Sequence, residues 1–289
     1  MDAGSRIEQA LITAVGRAEA PGCPPRLAAA LQHAVFPRGA RIRPRLCLAV
    51  ASACGDDAPH ATDAAAVAIE LLHCASLVHD DLPCFDDAET RRGRLSVHRA
   101  FGEPLAVLCG DALIVLAFQT LGQVAASVPL RVGALMLTVG RAVGVPTGIV
   151  AGQAWECEPD VDLSLYQQQK TGALFAAATA AGAAAAGAEM GPWRAVGERL
   201  GEAYQVADDL RDAAADYDEI GKPVGQDVAH SRPNAVSRYG IEGALGRLKA
   251  LVGEAIDTIP ACPGAGELRA LMQSEVVRLV PRRLASVAA

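Results

Sequence analysis

LLHCASLVHDDLPCFDDAETRRGRLSVH, residues 71–98, joins the end of an apolar helix to a dense run of charge. Upstream, Thr62 reads as an N-cap, and Ala64, Ala65, Ala66, Val67, Ala68, Ile69, Leu71, Leu72, Ala75, Leu77 and Val78 cover every side of the helix that follows. A helix apolar all round is a buried one. From residue 62 to 81 it would be about 30 Å long at 1.5 Å per residue, enough to cross a domain. Yet it ends in His79, Asp80 and Asp81, with Asp86 and Asp87 beyond Pro83 and then Arg91 and Arg92. Carboxylates at the end of a buried helix are costly unless a cation neutralises them. Such a conflict between burial and charge marks a site.

Working outward, the rest of the chain reads as further helices. Ile7, Leu11 and Val15 repeat at helical spacing, as do Leu27, Leu31 and Val35 before Pro37. Three arginines follow, Arg38, Arg41 and Arg43, around Gly39 and before Pro44. Alone they fit a solvated helix start or an anion-binding turn, since guanidinium groups bind phosphate bidentately. Pro104 opens a helix running to about residue 125, and others are expected over 130–143, 147–157, 163–188, 193–212, 241–256 and 265–284. No sustained period-two alternation calls for strands. No repeat or linker divides the chain, so residues 1–289 are expected to form one all-α domain, a bundle of antiparallel helices.

Composition narrows the function. A length of 289 residues, 51% of them apolar, supplies a sizeable core. The net charge of -7 argues against general nucleic-acid or anionic-membrane binding, so a polyanionic ligand must be held by local cations. The eight cysteines form no CxxC pair and read as free thiols of a reducing cytoplasm. The N-terminus lacks the pattern of a signal peptide. The most membrane-like segment, residues 173–188, is alanine-rich and broken by glycines, a packed helix without a membrane span.

A second acidic group lies far downstream. Asp208 and Asp212 are four apart and share a helix face, with Gln205 one turn before Asp208. Alanine and valine around them place that face inside the bundle. Both clusters end long apolar helices, and cations follow each: Arg91 and Arg92 after Asp80, Asp81 and Asp86, and Lys222 after Asp208, Asp209 and Asp212. Crowded carboxylates raise one another's pKa unless a divalent ion intervenes. Oxygen-only ligation suits Mg²⁺, which bridges carboxylates to phosphates. A diphosphate held by Mg²⁺, with arginine and lysine on its remaining oxygens, is the constellation these residues describe.

These two motifs, Arg91-Arg92-Gly93, Lys170-Thr171-Gly172, Gly221-Lys222-Pro223 and the Arg41-Ile42-Arg43-Pro44 turn resemble trans-isoprenyl diphosphate synthases, over residues 34–234. Among these the bacterial carotenoid-type geranylgeranyl diphosphate synthases are most similar. The resemblance implies a cytoplasmic, homodimeric, Mg²⁺-dependent prenyltransferase of all-α fold around a central cavity. It implies that Asp80 and Asp86 bind two Mg²⁺ ions and Asp208 a third, supported by Asp81 and Asp212. Arg91, Lys170, Thr171, Gln205 and Lys222 would hold the allylic diphosphate; Arg43, His73 and Arg92 would hold isopentenyl diphosphate. His79 reads as structural.

Two departures stand out: Ala40 replaces the usual lysine of the basic turn, and Gln226 a frequent lysine after Gly225. Chain length is expected to follow from Ala75 and Ser76, about 5–7 Å deeper than Asp80. Relatives that stop at farnesyl diphosphate typically carry a bulky aromatic at the position of Ala75. Alanine leaves room for another isoprene unit and implies geranylgeranyl diphosphate as product. A farnesyl diphosphate synthase, a non-catalytic partner subunit, a class I terpene cyclase and a histidine–aspartate phosphohydrolase are the competing readings.

Overall fold

The computed structural model describes residues 2–36, 39–160, 163–214 and 234–279. They are all-α apart from one small hairpin. They fall into two compact units, residues 1–140 with 181–188, and residues 141–180 with 189–289.

In the first unit, α1 (Ala3–Gly16) starts on Asp2, whose carboxylate accepts from the Ser5 amide, and it buries Ile7, Leu11 and Val15. Helix α2 (Pro25–Val35) has proline in its first turn. Helix α3 (Ile42–Cys54) takes the helix-start reading of the arginine-rich stretch, with Pro44 in its first turn. Proline in a first turn costs no hydrogen bond, so the helix begins there unhindered. Helix α4 (Pro59–Asp80) is the expected buried helix, with nearly every residue from Ala64 to Leu72 out of solvent. It starts earlier than expected. Ala58 is the N-cap, and the Thr62 hydroxyl donates to Asp56 Oδ1 at 2.6 Å from inside the helix.

After α4 comes a hairpin, β1 (Thr90–Arg91) and β2 (Arg94–Leu95), paired antiparallel with Thr90 opposite Leu95. Arg92 (φ 53°) and Gly93 (φ 74°) make its two-residue turn. Positive φ at both positions is the twist that matches a tight hairpin. Strands of two residues are too short to show alternation, which is why none were expected. Helices α5 (Val97–Phe101), α6 (Glu103–Gln123) and α7 (Pro129–Val143) follow. Helix α4 packs on α6, α3 and α1.

In the second unit, α8 (Ile149–Ala154) and α9 (Leu163–Gln167) precede a π-helical turn, Gln168–Gly172, and then α10 (Ala173–Ala185). The single helix expected over 163–188 is therefore interrupted by one wider turn. Helix α11 (Gly191–Ala214) packs against α12 (Ala235–Asp257), with Ala203, Val206, Ala207 and Leu210 meeting Ala244, Leu245, Leu248 and Leu251. Each fully buried leucine contributes about 2 kcal/mol. Helix α12 begins at a capping box on Asn234 and kinks at Gly240 (φ 67°), so the start expected at Ile241 is this kink. Helix α13 (Ala265–Leu279) closes the described chain.

Among the described residues two helices are long and apolar enough to cross a membrane by length and composition, α4 and α6, rather than the alanine-rich α10. The apolar window of α4 is 78% buried within the protein, as a core helix is.

Candidate active site

The first acidic motif is shaped by the backbone past α4. The Asp86 amide donates to the Asp80 carbonyl at 3.0 Å, the Ala88 amide to the Asp81 carbonyl and the Asp87 amide to the Leu82 carbonyl. The chain thus folds back on the helix end and returns Asp86 beside Asp80. Asp80 is half-buried and Asp86 exposed, whereas Asp81 is 2% exposed. Burial pushes the Asp81 carboxyl above its usual range despite the opposing Arg91. Arg91 donates to Asp81 Oδ1 from Nε at 2.9 Å and again from Nη2. A residue expected to support metal and one expected to hold phosphate are here each other's partners. His79 behaves as expected of a structural residue, its Nε2 meeting the Val107 carbonyl at 3.2 Å on α6.

Beside this motif lies a cationic cluster. Arg43 Nη1 is 3.4 Å from His73 Nε2. Burial first, then Arg43, Arg92, Arg91 and Arg41 in that order, hold the His73 pKa well below the usual imidazole value, so it is neutral. Arg41 itself is spent: it donates to Glu8 (3.0 Å), Glu70 (2.6 Å) and the Val35 carbonyl (2.8 Å) and is 6% exposed. Of the basic turn, then, Arg41 is a structural tie among α1, α2 and α4, and Arg38 lies outside the described residues. Arg41, Asp87 and Arg92 carry positive φ, so all three non-glycine residues in that region among the described residues sit at this motif or its turn. Strain of this kind gathers at functional sites.

In the second unit the π turn carries Lys170 and Thr171. Such turns recur at functional sites, because the extra residue turns neighbouring side chains to a new direction. Gly152 of α8 lets the helix press against this turn: a Cβ there would stand 2.4 Å from the Lys170 amide nitrogen. Lys170 Nζ pairs with Glu156 at 2.6 Å, and Glu156 also accepts from the Tyr166 hydroxyl, whose pKa burial pushes up to about 12. Sequence reasoning missed Glu156 and Tyr166. A lone glutamate far from its lysine leaves no spacing signal.

Thr171 donates to Gln205 Oε1 (3.1 Å), Gln205 Nε2 to Asp209 Oδ1 (3.0 Å), and the Ala235 amide to Asp209 Oδ2 (2.7 Å). The buried aspartate of this motif is Asp209, 3% exposed, which secures the start of α12. Asp208 and Asp212 are half-buried. Arg211 stands 3.5 Å from Asp208 and over the Tyr204 ring. Lys222 lies outside the described residues. Ala75 is buried and Ser76 half-buried, its hydroxyl donating to the His73 carbonyl at 2.8 Å.

Each motif therefore combines one buried aspartate bound to protein donors (Asp81, Asp209) with two that keep part of their surface accessible (Asp80 and Asp86, Asp208 and Asp212). Among the described residues no three acidic, histidine or cysteine side chains form a ready-made cage. Mg²⁺ favours this donor set: one or two carboxylates, with water and phosphate completing the shell. The residues present fit that ion.

The Polyprenyl synthetase family model matches residues 24–263. The chain is 56% identical over 281 residues to a geranylgeranyl diphosphate synthase of Cereibacter sphaeroides, covering 97% of this chain and 98% of that one. It is 54% identical over 273 residues to that of Rhodobacter capsulatus, covering 94% of each. Among solved structures, a geranyltransferase from Helicobacter pylori, complexed with magnesium and isoprenyl diphosphate, superposes with a TM-score of 0.79 at 28% identity, over 95% of this chain and 97% of that one. The family expected from the two aspartate motifs is the one found, and the chain belongs to the polyprenyl synthetase family.

Proposed function

We propose that this protein is a prenyltransferase that condenses isopentenyl diphosphate head-to-tail with dimethylallyl, geranyl or farnesyl diphosphate and releases geranylgeranyl diphosphate. The observation that carries this reading is 56% identity, over nearly its whole length, to a geranylgeranyl diphosphate synthase. The open carboxylate pairs and the cationic cluster supply the side chains that the reaction needs.

Asp80 and Asp86 are read as ligands of two Mg²⁺ ions and Asp208, with Asp212, as ligand of a third. When bound, Mg²⁺ neutralises the diphosphate and makes pyrophosphate a better leaving group. Arg91 and Lys170 are held by Asp81 and Glu156. An arriving diphosphate exchanges these carboxylates for phosphate oxygens without either cation having to be ordered afresh. Thr171, Gln205 and Lys222 are assigned to the allylic diphosphate. Charge then develops on the departing oxygen, and preformed cations stabilise it. The double bond of isopentenyl diphosphate, held by Arg43, Arg92 and neutral His73, attacks the allylic carbon. The proton lost passes to a pyrophosphate oxygen.

Exposed Val107, Leu108 and Val115 on α6, with Leu130 and Leu137 on α7, support a homodimer. The eight free cysteines suit a cytoplasmic setting.

The test is direct. The purified chain, Mg²⁺, isopentenyl diphosphate and each allylic diphosphate are incubated separately and the products sized. A C20 prenyl diphosphate supports the proposal. Cyclic hydrocarbons, inorganic phosphate alone, or silence until another protein is added would favour the cyclase, the hydrolase or the partner subunit. Ala40 bears on the same assay. Exposed and next to the basic turn, it leaves a place for a cation. Ala40→Lys is expected to lower KM for isopentenyl diphosphate about fivefold, since a charge-assisted contact contributes about 1.5 kcal/mol or less at an exposed position. An unchanged KM would show that the turn does not reach this substrate.

A further inference from the structure

We propose that Glu70 and Gly39 act together as positioning residues for Arg92, and through it set affinity for isopentenyl diphosphate. This inference rests on the prenyltransferase reading of the site. Glu70 projects from α4 and is 2% exposed. Its Oε1 accepts from Arg41 Nη1 at 2.6 Å and stands 3.8 Å from Arg92 Nη2. The first contact is a hydrogen-bonded ion pair. The second is too long for a hydrogen bond yet short enough for strong attraction in a buried setting. Glu70 thus draws the Arg92 guanidinium inward without taking up the N–H groups that a diphosphate needs.

Gly39 limits the same side chain from the other side. A Cβ built there would lie 2.7 Å from both Cζ and Nη2 of Arg92. The guanidinium lies where any larger residue would put its side chain. The backbone agrees, since Arg92 sits at positive φ in the hairpin turn, which aims its side chain back toward α4. An arginine held this way loses little rotamer freedom on binding, and preorganisation of that kind is what converts contacts into affinity. Arg43 and Arg92 both act on neutral His73, Arg43 Nη1 from 3.4 Å, so Arg92 belongs to the same cationic cluster. Glu70 and Gly39 act through Arg92 without touching substrate themselves.

Gly39→Ala is the cleaner test. Its backbone lies outside the left-handed region, and the clash falls on the mobile end of one side chain, so the fold is retained while Arg92 is displaced. The wild type, Gly39→Ala, Glu70→Gln and Glu70→Asp are compared by calorimetric titration with isopentenyl diphosphate, by KM for each substrate and by thermal midpoint. Gly39→Ala is expected to weaken isopentenyl diphosphate about tenfold, the loss of one charge-assisted contact, with KM for farnesyl diphosphate changed less than about twofold. Glu70→Gln is expected to show the same split with a lower thermal midpoint, because Arg41 keeps only Glu8 as an anionic partner beside the Val35 carbonyl, and Glu70→Asp to recover part of the affinity. Isopentenyl diphosphate binding within twofold of wild type in Gly39→Ala would overturn the proposal. So would an equal loss for both substrates, which marks general distortion. If Glu70→Gln does not fold, Gly39→Ala decides alone. A wild type that forms no prenyl product but loses isopentenyl diphosphate binding on Gly39→Ala would remove the turnover reading and leave this inference standing.

Discussion

Asp80→Asn is expected to reduce kcat/KM with Mg²⁺ about a thousandfold while leaving the thermal midpoint within a few degrees of wild type. The magnitude follows from the electrostatic work asked of the site, where a single preorganised group commonly contributes 10²–10³ in rate. The neutral stability follows from position, since Asp80 is half-buried at a helix C-terminus, where the dipole disfavours a carboxylate. Asp208→Asn should behave alike. Asp81→Asn should differ in kind. It strips the buried counterion from Arg91, and that loss is expected to destabilise the fold by about 2 kcal/mol, below the usual range for a buried pair because Arg91 is partly exposed. Turnover and thermal denaturation measured on the same preparations separate the two classes. An Asp80→Asn enzyme within tenfold of wild type, or one as destabilised as Asp81→Asn, would remove Asp80 from the metal site.

Ala75→Phe is expected to move the main product from geranylgeranyl to farnesyl diphosphate. Ala75 lies on α4 five residues before Asp80, rather more than one turn and about 7 Å deeper. It is 2% exposed. Two physical outcomes are open to a phenyl ring placed there, and they leave different traces. If the alanine borders the path of the growing chain, the ring fills space that the fourth isoprene unit would use. The product shortens and stability changes little. If the alanine is packed on all sides, overpacking costs about 1–3 kcal/mol and product length stays the same. Chromatographic sizing of products beside a melting curve distinguishes them, and C20 product from a destabilised Ala75→Phe enzyme would place the chain-length determinant elsewhere.

The helices that the sequence shows most plainly are those with a single dominant signal. Helix α4 is legible because eleven apolar residues leave no polar face, and α1 and α2 because their apolar residues keep helical spacing. Helix α3 was half legible, since the arginines around Gly39 fit a helix start or an anion-binding turn alike, and only the placement of Pro44 in a first turn decided between them. The hairpin was hidden for a different reason, its strands being two residues long and specified by backbone φ at Arg92 and Gly93 rather than by pattern. The interruption at Gln168–Gly172 was hidden as well, because a π turn changes hydrogen-bond partners without changing residue preference.

From the sequence alone came the chemical inventory: two aspartate motifs, the arginines and lysines that follow them, and through their spacing the family. Composition and local spacing carry that information because metal and diphosphate binding demand particular residue types at short range. Tertiary structure decided how each residue is employed. It buried Asp81 and Asp209 against protein donors and left Asp86 exposed and Asp80, Asp208 and Asp212 half-buried. It spent Arg41 on Glu8 and Glu70, and paired Lys170 with Glu156 across fourteen residues of chain. These assignments depend on which charges meet after folding, and a charge pairs with the nearest buried partner in space, whatever its distance along the chain.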